Sequence, residues 1–292
     1  MNYTEYLQTK GYTINSIRHK LFMLAYFKQW MKQQQLKEIT EITYNDILLF
    51  IQHQKTKGNK VVSLNRYISG LSTFFSYLKE QKQIKTNPVP SKGIRGRITK
   101  VHHNLIEEKI LEQIYQTYPT GSLVEKRNKI ILGLMIYQGL STKDFIKLEP
   151  SHLHLTEGKI YAPGNIYIEG RFLKLEAFQI LSIQSYLITT RQEILKQSGK
   201  ATEKLFTGTG NGTKIISSIG KLIKSLKKKH PKINLTNVAQ IRASVISNWL
   251  KYYNIRQVQY MAGHKFVSST EAYRTDNIEL LQEELKKHHP LS

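Results

Sequence analysis

QIRASVISNWLKYYNIRQVQYMAGHKFVSSTEAY, residues 240–273, decides how the rest of the chain is read. Its apolar spacing predicts a helix with Arg242 near its start, then a turn at Tyr253-Asn254. A second short helix ends at Gly263 and leaves His264 at its exit, with Tyr273 a short connection further on. Together these three polar residues suit phosphodiester chemistry. An arginine offers a planar fork to two phosphate oxygens. A histidine donates to a third oxygen or moves a proton. A tyrosine hydroxyl can attack phosphorus and form a covalent intermediate.

The order Arg242, Gly263-His264, Tyr273, with 264 − 242 = 22 and 273 − 264 = 9, resembles the C-terminal signature of the tyrosine recombinases, the phage-integrase and Xer-like family. The Gly-His-to-Tyr spacing is the specific part, since the chain has 17 tyrosines and most serve helix faces or the core. The resemblance implies a mainly α fold with a small β-sheet. It also implies an N-terminal helical bundle of the SAM-like, core-binding kind and a C-terminal tyrosine-recombinase catalytic domain. Arg242, His264 and Tyr273 would be the catalytic residues, with no cofactor and no metal.

Bulk composition agrees with a polyanion partner. Lys+Arg number 44 against 21 Asp+Glu, a net charge of +23 spread along the whole chain. A Lys-rich, low-GC background produces a similar excess, so charge alone does not decide the matter. No helix gathers the charge opposite a large apolar face, which argues against a membrane surface. The absence of cysteine removes disulfide frames and thiolate metal sites and fits a reducing, cytoplasmic setting. MNYTEYLQTKGYT lacks the basic start and apolar run of a secretion signal, and no window is long enough to cross a bilayer.

Residues 1–85 read as helices throughout. Thr13 is the expected cap of a helix bearing Ile17, Leu21 and Leu24, and Thr43 with Asp46 that of a second, ending before Lys57-Gly58. A third runs over about 60–81, with Leu64, Ile68, Leu71, Phe75 and Leu78 on one face. Residues 86–103, TNPVPSKGIRGRITKVHH, mix proline, glycine and Lys/Arg without period and read as a basic linker. His102-His103 lacks a third ligand for a metal.

Residues 104–292 form the second predicted domain. Asn104 with Glu107 is read as a helix cap, Asn128–Tyr137 as a buried helix, and Ser141 as the cap of the next. Lys159–Tyr161 and Arg171–Leu173 predict a β-hairpin. Helices follow over about 176–197 and 215–229, the latter with Lys224, Lys227, Lys228 and Lys229 as a basic face. The glycine-rich stretch 205–214 lacks the Gly-Lys-Ser/Thr ending of a nucleotide loop and reads as a turn. Asp276 and Glu279 cap a predicted tail helix over 277–288, which in the resembled family links protomers in a ring.

The resemblance further implies double-stranded DNA as partner, a tetramer on that DNA and accessory DNA-bending proteins. It also exposes three departures. Tyr137–Leu148 matches the family's first box at Gly139, Leu140 and Leu148, with Asp144 for its glutamate, but Ser141 stands where the first catalytic arginine belongs. Asn165 stands at the hairpin lysine and Ala239 at the second-box histidine. Lys143 and Lys147 are near enough in sequence to lend charge in place of the missing arginine, and Arg171 and Lys174 to stand in for the hairpin lysine.

Overall fold

The computed structural model describes residues 1–36, 38–90, 104–165, 168–199, 201–208 and 214–274. The chain divides into two compact units, Met1–Ile98 and Thr99–Ser292. Most of the predicted linker, the tip of the glycine-rich stretch at 209–213 and the predicted tail helix lie outside the described residues.

The first unit is helical: α1 (Tyr3–Thr9), α2 (Ile14–Gln33), α3 (Tyr44–Thr56) and α4 (Val61–Glu80). Side-chain caps set most of the starts. Thr13 Oγ1 accepts from Ser16 N, and Thr43 with Asp46 forms a reciprocal box in which the shorter aspartate serves as well as glutamate. The apolar stripe of α4 turns inward, burying Leu64, Ile68, Leu71, Phe75 and Leu78. Aromatic edges then lock α2 to α3. Phe50 stands edge-on to Phe27 at 5.0 Å and to Trp30 at 5.2 Å.

The second unit surrounds α6 (Leu123–Ile136), which is buried on nearly every side from Ile130 onward. It begins earlier than the apolar run suggests, because Ser122 and Glu125 form a capping box at its start. Before it, α5 covers Glu108–Gln116; Asn104 is not its cap but sits at φ 61°, four residues upstream of the first helical turn. After it, α7 (Thr142–Lys147) is capped by Ser141, as the sequence indicates.

The hairpin forms and gains a third strand. β1 (Leu153–His154), β2 (Lys159–Ala162) and β3 (Arg171–Lys174) make an antiparallel sheet in that order, with Ile160 opposite Leu173. Next come α8 (Ala177–Ser185), a wider turn at Tyr186–Thr190, α9 (Arg191–Ser198) and α10 (Ile215–Lys229). The unit closes with α11 (Val238–Tyr252), α12 (Ile255–Ala262) and α13 (Val267–Glu271). Gln138 and Gln179 exchange amide hydrogen bonds at 2.9 and 3.0 Å in the interior, and Gln138 Nε2 also reaches Lys174 O. The exit of α6 is thereby tied to α8 and β3. No helix among the described residues is long and apolar enough to cross a membrane, and no group of three or more metal-ligating side chains occurs among them.

Phe50 is completely buried in an aromatic nest, so Phe50→Ala is expected to destabilise the first unit by about 3–5 kcal/mol. Urea unfolding should show an earlier transition for that unit; a loss below about 1 kcal/mol would mean that the nest collapses around the gap.

Candidate active site

The site gathers where the exits of α6 and α12 meet the start of α11. Asn254 caps α12 and pairs reciprocally with Gln257. Gly263 then stops the helix at φ +68°, and His264 N returns to Gln259 O at 3.0 Å. A side chain is excluded there on two counts. The backbone is left-handed, and an added Cβ would lie 2.9 Å from Glu169 O and 3.0 Å from Arg171 Cδ. The hairpin is therefore seated directly on this turn. Glu169 N donates to Gly263 O at 3.0 Å, Ile168 bridges to His264, and Phe172 N donates to the Tyr260 hydroxyl.

Arg242 lies on the buried face of α11, 8% exposed. Nη1 donates to Gly139 O and Nη2 to Ala262 O. Both carbonyls stand at helix exits, where the peptide dipoles favour a cation. Gly139 sits at φ +59°, and an added Cβ would meet Trp249 at 3.0 Å, so α11 presses closely on this turn. Burial lowers the Arg242 pKa, with Asp144 and Tyr273 acting against that shift.

His264 Nδ1 shares a 2.9 Å hydrogen bond with the buried Thr270 hydroxyl, which leaves Nε2 as the nitrogen able to face a substrate. Burial pushes its pKa down to about 4, helped by the cationic Arg242 and Arg171 nearby. The imidazole is neutral at physiological pH. Tyr273 lies near-parallel to it, ring centroids 5.8 Å apart and 14° between planes, and also packs on the small apolar cluster of Ile246, Val258 and Ala262. Burial raises the phenol pKa and the Arg242 charge opposes the rise. The three predicted site residues thus come together, from α11, the α12 exit and the end of α13.

Similarity to known proteins fits this arrangement. Residues 1–82 match the family described as phage integrase, N-terminal SAM-like domain. The tyrosine recombinase XerC of Anoxybacillus flavithermus is 22% identical over 278 residues, 93% of this chain and 90% of that protein. XerC of Natranaerobius thermophilus is 24% identical over 283 residues, covering 96% and 93%. In solved structures the fold recurs in the XerH site-specific recombinase in a post-cleavage complex with a palindromic difH substrate, at TM-score 0.76 and 16% identity over 96% of this chain and 83% of that one. It recurs also in the Tn1549 transposon integrase in complex with transposon right-end DNA, at TM-score 0.66 and 16% identity over 97% and 98%. Over nearly its whole length the chain is similar to tyrosine recombinases, and it has the fold of the solved recombinase and integrase structures.

Against that family the three departures take definite places. Ser141 caps α7, its N–H on Asp144 Oδ2 at 2.7 Å, and its Oγ is buried. Asn165 closes the hairpin turn, its side-chain oxygen accepting from Ile168 N at 3.1 Å. Ala239 is exposed on the first turn of α11. Of the neighbouring cations, Lys143 and Lys174 are exposed, while Lys147 Nζ donates to Gly164 O at 2.6 Å. Arg171 behaves differently. It points inward from β3, 1% exposed, with Nε on Met261 O at 2.7 Å and Nη1 3.8 Å from Asp144 Oδ1. The sequence offers it, with Lys174, as a stand-in for the hairpin lysine, without indicating that it is buried. The support of His264 by Thr270 was not anticipated, because a single threonine in a Ser/Thr-rich stretch carries no signal.

Two outcomes are expected. Gly263→Ala should cost about 1–3 kcal/mol from the backbone alone and disturb His264 and Arg171 together, read as a lower Tm and weakened tyrosine-dependent DNA cleavage. An unchanged Tm would contradict the left-handed, crowded turn. The His264 imidazole, identified by loss of its NMR signal in His264→Asn, should titrate near pH 4 rather than at its ordinary 6.5. The unfolded chain takes up that proton near 6.5, so this contribution to stability is complete above that pH and is lost as pH falls towards 4. A midpoint at 6.5 would mean that the ring is neither desolvated nor beside the two guanidiniums.

Proposed function

We propose that this chain is a site-specific DNA strand-transfer enzyme, with Tyr273 as nucleophile and Arg242 and His264 as its phosphate-binding partners. The observation that carries the reading is the Tyr273 ring lying against His264 within the field of Arg242. The Tyr273 oxygen attacks the scissile phosphorus. A tyrosine–phosphorus bond forms, the bond to the 5′ oxygen breaks, and that oxygen leaves as a 5′-hydroxyl after gaining a proton, while the phenol loses one. The product is a 3′-phosphotyrosine. A 5′-hydroxyl from a second strand reverses the step on a new partner, so the bond energy is retained and no nucleotide is consumed. Charge gathers on the non-bridging oxygens in the transition state, where fixed cations and donors are most effective.

In this reading residues 1–85 form a DNA-clamping domain and residues 104–292 the catalytic domain, with double-stranded DNA as partner and a tetramer as the working assembly. The net charge of +23 supports a polyanion partner. Movement of a mobile genetic element is the role we assign. A second reading, a DNA-binding relative with little turnover, is favoured by Ser141, Asn165 and Ala239, which together remove three expected catalytic donors.

Incubation with nicked suicide DNA separates the two. The enzyme gives an SDS-resistant protein–DNA adduct that is absent in Tyr273→Phe. Salt-sensitive binding without adduct supports the second reading. An adduct that survives Tyr273→Phe overturns the assignment of the nucleophile.

A further inference from the structure

Among the described residues, the buried side-chain atoms without a hydrogen-bond partner include Ser141 Oγ and both terminal nitrogens of Arg171. They border one carboxylate. Ser141 N occupies Asp144 Oδ2 at 2.7 Å, and Arg171 Nη1 stands 3.8 Å from Oδ1, an ion pair too long for a hydrogen bond. Arg171 is otherwise fixed by Met261 O, while Arg242 takes the next carbonyl, Ala262 O. Two guanidiniums therefore hang from successive carbonyls at the α12 exit. Asp144 is the one carboxylate acting on both of them, and His264 beside them is neutral. The cluster carries an excess positive charge and unused donors in a desolvated place. Such a group is unfavourable until an anion completes it.

We propose that Arg171 is the second phosphate-gripping guanidinium of the site, and that with the Ser141 hydroxyl it binds the non-bridging oxygens of the scissile phosphodiester. This rests on the strand-transfer reading above. It locates the missing charge on β3 instead of at position 141. The other cations near the hairpin are worse placed, since Lys143 and Lys174 are exposed and Lys147 is engaged by Gly164 O. Alternation along β3 turns Arg171 and Leu173 inward and Phe172 and Lys174 outward. Arg171 Nη1 and Nη2 are shut off from water in this structure, so a phosphate reaches them only when surrounding side chains move aside.

The test compares suicide DNA carrying an ordinary scissile phosphate with the same DNA carrying a methylphosphonate, which replaces one charged oxygen by a neutral methyl. Arg171→Gln is expected to slow adduct formation about 10²–10³-fold on phosphate, and by less than about tenfold on methylphosphonate. Arg171→Lys, which keeps the charge and not the fork, should fall between. An equal loss on both substrates makes Arg171 a structural residue and overturns the proposal, as does no loss on either. Where wild type gives no adduct on any DNA, the strand-transfer reading fails, and inorganic phosphate tests the anion site by itself. A rise in Tm over chloride of matched ionic strength, abolished in Arg171→Gln, upholds the site. No rise in wild type overturns it.

Discussion

The site depends on one buried cation holding two helix exits together. Arg242 donates to Gly139 O behind α6 and to Ala262 O at the end of α12. Ala262 O is one of the carbonyls that a helix leaves without an internal partner, and Gly139 O lies in the turn just beyond α6. The guanidinium satisfies them and is itself compensated for leaving water. Remove it and two turns lose their common anchor, each already forced into left-handed backbone at Gly139 and Gly263. The geometry of the candidate site and the packing of the second unit are thus one structural problem. Trp249 presses on Gly139 from the same helix that carries Arg242.

The same cation sets the proton chemistry around it. Burial, helped by the like charges on Arg242 and Arg171, keeps His264 neutral. A neutral imidazole with Nδ1 bound to Thr270 can donate or accept at Nε2, but it adds no charge to the anion site. In the proposed strand transfer, stabilisation of a developing phosphorane charge would then fall to the guanidiniums and neutral donors. Tyr273 has its pKa raised by burial, so the phenol rests protonated and Arg242 works against that shift as the oxygen becomes anionic.

Much of this was legible in the sequence because it is written in local chemistry. Asn254 and Gln257 start α12, and glycine at 263 is the residue that a left-handed stop requires. Thr43 with Asp46 and Ser141 with Asp144 follow a related logic: the Thr43 hydroxyl answers the Asp46 N–H three residues on, and the Asp144 carboxylate answers the Ser141 N–H three residues back. Where that logic misled, the reason is equally local. Asn104 with Glu107 has the right spacing for a cap, but Asn104 takes a left-handed conformation and the helix starts later. Ser122 and Glu125 sit ahead of the apolar run, so the true start of α6 was hidden behind polar residues. Arg171 could not be placed from its neighbours. In Arg-Phe-Leu-Lys the two apolar residues are adjacent and point to opposite faces, so alternation alone does not decide which face takes the arginine; Arg171 turns inward with Leu173, where Met261 O and Asp144, remote in sequence, receive the guanidinium.

A phosphate responds to the charge and donors around it, not to the order in which the chain supplies them. An arginine at position 141 would bring its own cation to Asp144. With serine there, the backbone N–H takes one oxygen of Asp144, and β3 brings the Arg171 guanidinium to the other. The consequence is a transfer of burden within the fold. With the cation on β3, the seating of the whole hairpin on Gly263, His264 and Tyr260 governs where the charge stands. The hydrogen bonds from Glu169 N and Phe172 N therefore help to fix the Arg171 guanidinium, although both donors are themselves engaged by the α12 turn.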